Sequence, residues 1–220
     1  MSDSLPLIVA NFKSNKTWDE LAAWLEEIGP KTNSFPGTIV VCPSMAFISE
    51  AAQKVKDAGW KLKIGSQNIS AYEVGAYTGE VAASQINDQV AYTIIGHSER
   101  RQYFGETDAI LAEKVNLALK SQITPILCIQ DENTPIPAEA KIVAYEPMFA
   151  IGTGNPDTPQ NAKSVSEKLK AKGQYTVLYG GSVDAQNIKS FLEPGLIDGA
   201  LIATASLQSD SFSEILENTK

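Results

Sequence analysis

The feature that most constrains this 220-residue chain is an alternation running from end to end: short β-branched runs separated by longer stretches of helical period. Eight runs read as strands: Leu7–Asn11, Thr38–Cys42, Lys61–Gly65, Ala91–Gly96, Thr124–Ile129, Ile142–Tyr145, Thr176–Tyr179 and Gly199–Ala203. Among the amphipathic stretches between them are Thr17–Ile28, Ser44–Ala58, Asp108–Ser121, Thr158–Lys172 and Asp184–Leu192, with Thr17, Ser44, Thr158 and Asp184 as expected N-caps. Strands that alternate with helices pair in parallel through right-handed crossovers, and eight such units close a sheet into a barrel. The expected fold is therefore α/β, one (β/α)8 barrel over residues 1–220. An open doubly wound sheet would usually announce a G-x-G-x-x-G turn, but Gly152-Thr153-Gly154 is followed by Asp157 where the third glycine would stand.

At 220 residues the chain lies near the short end of the range for such barrels, about 200 to 400. The trimmed segment is readable: only Gln130–Lys141 joins the fifth strand to the sixth, and its Pro135 and Pro137 oppose a full helix. Gln67–Gln89 is long, which predicts a protruding loop before the third helix. Eighteen basic against 26 acidic residues give a net charge of -8, so the global field repels nucleic acid. The longest apolar runs, Leu5–Ala10 and Tyr92–Ile95, fall far short of the roughly 20 residues that span a bilayer. Met1–Ser14 lacks a basic n-region, and the two cysteines, Cys42 and Cys128, form no CxxC pair; both point to a cytoplasmic chain with reduced thiols.

In a parallel barrel the reactive rim is the carboxyl end of the strands. Strand one ends in Asn11-Phe12-Lys13, strand four in Gly96-His97-Ser98-Glu99, strand six in Tyr145-Glu146-Pro147 and strand seven in Tyr179-Gly180-Gly181-Ser182. His97 is the only histidine, and a helix starting at Ser98 would aim main-chain N–H groups at its ring, favouring a neutral imidazole. Glu146 is followed by Pro147 and the apolar run Met148–Gly154, which reads as a lid over the carboxylate of a general base. Lys13 follows a buried strand and is suited to meet a substrate anion. Ser182, with Ala203 and Thr204 after strand eight, occupies the place where barrels bind phosphate through main-chain N–H groups.

Taken together, Asn11-Phe12-Lys13, Ile95–Arg101, Ala144–Pro147 with Ala150–Gly154, Tyr179–Val183 and Asp198–Leu201 resemble the triosephosphate isomerase family, in order from strand one to strand eight. The resemblance implies a TIM barrel that interconverts dihydroxyacetone phosphate and D-glyceraldehyde 3-phosphate through an enediolate. It implies Glu146 as base, neutral His97 as electrophile, Lys13 and Asn11 at the substrate oxygens, and Glu99 orienting its polar neighbours. It implies a phosphate grip by Gly152, Ser182, Ala203 and Thr204. No metal or other cofactor is implied. A homodimer is, through the loop Tyr72–Glu80.

Four departures qualify the resemblance. Ala203-Thr204 stands where the family usually has Gly-Gly, Phe149 stands for a lid Trp, Gln130-Asp131 stands for Gly-Glu, and the helix after strand five is nearly absent. They keep a second reading open, a weakened or silent barrel that binds phosphorylated ligands. A barrel isomerase acting on another phosphorylated sugar would share the phosphate loops but not the His97 and Glu146 motifs.

Overall fold

β1 (Leu7–Asn11) is buried at every residue, the mark of a strand covered on both faces. It pairs in parallel with β2 (Thr38–Cys42) on one side and with β8 (Gly199–Ile202) on the other, in the registers Val9↔Val40 and Val9↔Leu201. The computed structural model describes residues 5–150, 156–192 and 197–219. Within these, β3 (Lys63–Ser66), β4 (Tyr92–Ile95), β5 (Thr124–Ile129), β6 (Ile142–Tyr145) and β7 (Thr176–Tyr179) complete a closed parallel barrel in sequence order. Alternate residues divide the core. Leu7, Val9, Val40, Cys42, Ile94, Ile126, Cys128, Ala144, Leu178 and Leu201 cluster together, while their neighbours Ile8, Ala10, Val41, Ile95, Leu127 and Val143 join the layer packed with the helices. The expected (β/α)8 barrel is thus met.

The helices are α1 (Trp18–Ile28), α2 (Ile48–Ala58), α3 (Ser98–Phe104), α4 (Asp108–Lys120), α5 (Pro159–Lys172), α6 (Ile188–Phe191) and α7 (Ser209–Asn218). Thr17 and Glu20 form a reciprocal capping box at α1, and Thr158 caps α5 by accepting from the Asn161 N–H. Two caps fall differently. Ser44 makes no capping hydrogen bond, because a 3-10 turn over Met45–Phe47 intervenes before α2. Asp184 Oδ1 accepts from the Gln186 and Asn187 N–H groups in a turn, and α6 begins only at Ile188.

Between β3 and β4 the expected helix contracts to one 3-10 turn, Ala83–Gln85. Strand bounds shift slightly: β3 starts at Lys63, β4 ends before Gly96, and β8 ends before Ala203. No described residue between β5 and β6 is helical, as the prolines of that segment required.

Candidate active site

Barrel closure brings the carboxyl ends of β1, β4, β6, β7 and β8 to one rim, where a single pocket is lined by Asn11, Lys13, His97, Glu146, Ser182, Ala203 and Thr204. Glu146 follows β6 directly and is 2% exposed. Its Oε2 accepts from the Ser98 N–H at 2.9 Å, and its Oε1 lies 3.2 Å from His97 Nε2. At the other edge of the ring, His97 Nδ1 accepts from the Glu99 N–H at 3.3 Å. This leaves Nδ1 as the acceptor edge of the ring and turns Nε2 toward the carboxylate. The first turn of α3 thereby holds both the Glu146 carboxylate and the His97 ring. Gly180 makes room for the carboxylate: a Cβ there would stand 2.9 Å from Glu146 Cγ.

Lys13 sits at φ +50, a left-handed backbone unusual for lysine. Three contacts hold it there: its N–H donates to Asn11 Oδ1 at 3.1 Å, its carbonyl accepts from Gln67 Nε2 at 2.7 Å, and its Nζ donates to Glu99 Oε1 at 2.5 Å. Glu99 thus holds Lys13 through Oε1, while its main-chain N–H donates to His97 Nδ1 and its Oε2 stands 3.6 Å from that same nitrogen. Cys128 is buried beside this cluster, and burial followed by the Glu146 charge pushes its thiol well above the usual range, so it stays protonated.

On the β7–β8 side the pocket is lined by the loops Gly180–Asp184 and Ala203–Ala205. Ala203 has φ -101, and Thr204 opens a 3-10 turn over Thr204–Ser206; neither has a positive φ. Ser206 Oγ donates to the Ala203 carbonyl at 2.6 Å, and the Ser206 carbonyl accepts from Trp24 Nε1 at 2.9 Å, tying the loop to the core. Across the pocket, Asn187 Nδ2 braces the Ser182 carbonyl at 3.1 Å. Of the segment Pro147–Gly154, residues 151–154, Gly152 among them, lie outside the described residues, whereas Met148–Ala150 form a 3-10 turn in which Met148 accepts at Sδ from Gln130 Nε2. Among the described residues no group of three His, Cys, Asp or Glu side chains could hold a metal ion.

The family model for triosephosphate isomerase matches residues 6–140 and 133–219 of this chain. The chain belongs to the triosephosphate isomerase family. Named triosephosphate isomerases similar to it include one from Endomicrobium trichonymphae, 34% identical with 98% of this chain and 99% of that protein covered. Another, from Thermus thermophilus, is 33% identical over 96% and 97%. A third, from Clostridium beijerinckii, is 36% identical over 96% and 98%. The two pieces of the family match meet at residues 133–140, inside the short β5–β6 connection. The break in the family match thus falls in a connection that carries no helix among the described residues.

Some residues of the site went unread in the sequence. Gln67 holds the Lys13 and Cys42 carbonyls, and Arg101 donates to the Gly96 and Cys128 carbonyls. A signal for Gln67 existed, since it follows β3 at the reactive rim. Arg101 carried none beyond its place in the His97 motif.

Proposed function

We propose that the whole chain acts as one catalytic domain that interconverts dihydroxyacetone phosphate and D-glyceraldehyde 3-phosphate, with Glu146 as the base and His97 as the neutral electrophile. The observation that carries this reading is the pair itself: a buried carboxylate 3.2 Å from an Nε2 whose partner Nδ1 is an acceptor, in a pocket shared with Lys13 and the Ser182 and Ala203-Thr204 loops. Glu146 removes the proton from the carbon next to the substrate carbonyl and returns it to the neighbouring carbon. The Nε2–H of His97 polarises the carbonyl and moves protons between the two enediolate oxygens. Lys13 and Asn11 stabilise the charge that develops on those oxygens, and Glu99 keeps the ammonium in place. Ser182, Ala203 and Thr204 N–H groups, with Gly152 from the lid, grip the phosphate.

The reading extends to assembly and location. The loop Tyr72–Glu80 is exposed throughout, and its Tyr72 and Tyr77 rings stack at 4.3 Å, giving a preformed aromatic protrusion. A groove lined by Lys13, Met45, Gln67, Glu99 and Phe104 suits the same loop of a second copy, so a homodimer would brace Lys13. Both cysteines are free and buried, which suits the reducing cytoplasm, and no described helix is long and apolar enough to cross a membrane. A coupled isomerase assay on purified protein tests the activity. Turnover of either triose phosphate supports it, and phosphate-ester binding without turnover would favour the silent barrel.

A further inference from the structure

We propose that Asp157 is a positioning residue that fixes the base through Tyr145, an inference that rests on the reading of Glu146 as that base. Tyr145 and Glu146 are consecutive at the end of β6, so their side chains leave opposite faces: Glu146 enters the pocket and Tyr145 enters the layer of helices. In that layer Tyr145 Oη donates to Asp157 Oδ2 at 3.2 Å. The Asp157 N–H donates to Tyr179 Oη at 2.7 Å. Tyr145 and Tyr179 are register partners on β6 and β7, so one buried residue ties down the ends of both strands. The carboxylate is further fixed by the Thr158 N–H on Oδ1 and by Asn161 Nδ2 on Oδ2, each at 2.7 Å, in the first turn of α5.

Every group that meets this carboxylate is a donor, a set that a carboxylate satisfies and an amide would not. Burial first, and the Asp157 charge second, push the Tyr145 hydroxyl above its usual range, so it remains the donor that the link needs. The link also reaches the phosphate side. A Cβ at Gly181 would stand 2.2 Å from Tyr179 Oη, so the Gly180–Ser182 loop packs directly on the hydroxyl that Asp157 holds. A small shift of Asp157 therefore moves the strand end that carries Glu146 and the loop facing it. Nothing in this arrangement touches the reacting atoms.

Tyr145→Phe removes only the bond to the carboxylate and leaves the other three contacts of Asp157 intact. We expect it to lower kcat about tenfold or more, since displacements near 1 Å can cost about a hundredfold, while KM changes by less than about twofold. Asp157→Ala should lower kcat by a similar factor, and the double variant should fall no further than either single, because both remove one link. A fall in melting temperature with kcat unchanged per folded enzyme would reduce Asp157 to an anchor for α5 and overturn the proposal. If Asp157→Ala does not fold, Tyr145→Phe decides alone, and a wild-type kcat refutes the link. Glu146→Gln is measured beside them. Its retention of activity would sink the base itself, whereas its collapse with Tyr145→Phe unchanged would sink only the positioning.

Discussion

On the β4–β6 side of the pocket, Glu146 and His97 are buried side chains, each fixed by a main-chain N–H from the first turn of α3. On the β7–β8 side, Ser182 is half-buried and Thr204 exposed, and their loops are braced from behind by Asn187 and Ser206. On the proposed reading the first side stores its chemistry in residue types, so any replacement removes a function, and the second is backbone-built, offering main-chain donors that survive replacement of the side chains around them. Of the four departures from the family's usual residues, only Ala203-Thr204 lines this pocket, and it falls on the backbone-built side.

The sharpest way to break the comparison is to remove one group from each side. Glu146→Gln should lower kcat by about 10² to 10⁴-fold with little change in KM, because a general base acts only as the proton moves. Steady-state kinetics in both directions checks it. Next in size, Lys13→Met should lower kcat/KM by about 10² to 10³-fold, the cost of losing one preorganised partner of a developing oxyanion. The measurement is the same, and an unchanged value would make Lys13 a surface lysine. Deleting Val74–Thr78 should yield monomers by light scattering, with activity reduced by a smaller factor as Lys13 loses its brace. A wild-type protein already monomeric and fully active would refute the dimer.

The smallest effect belongs to the backbone-built side. Ala203→Gly with Thr204→Gly should lower KM a few-fold and leave kcat nearly unchanged, the signature of binding shared by ground and transition states. The expected gain is modest because the present loop needs no positive φ, so neither Ala203 nor Thr204 is strained. Weaker binding in the double variant would make the Thr204 side chain itself a ligand.

The same division explains what was legible in the sequence. Strands buried on both faces are continuous apolar runs, so β1, β2, β5, β6 and β7 fall at the expected bounds. That His97, Glu146, Lys13 and Asn11 meet at one rim was legible because they are distinctive residues at the ends of such runs. Caps were harder, since the hydrogen bond that starts a helix also closes a turn: Asp184 makes the bonds of a cap, but in a turn ahead of α6. Asp157 was invisible for a different reason. Its partners Tyr145 and Tyr179 are distant in sequence and meet it only once β6 and β7 are paired.

The most direct test is turnover of dihydroxyacetone phosphate in deuterium oxide by the wild-type protein and Glu146→Gln, followed by NMR of the carbon-bound hydrogens. If a side-chain carboxylate carries the proton, the wild-type protein should isomerise the triose and introduce solvent deuterium on carbon, and Glu146→Gln should lose both together. Isomerisation or carbon exchange by Glu146→Gln at more than about half the wild-type rate would contradict the account, because the proton would then travel by another group.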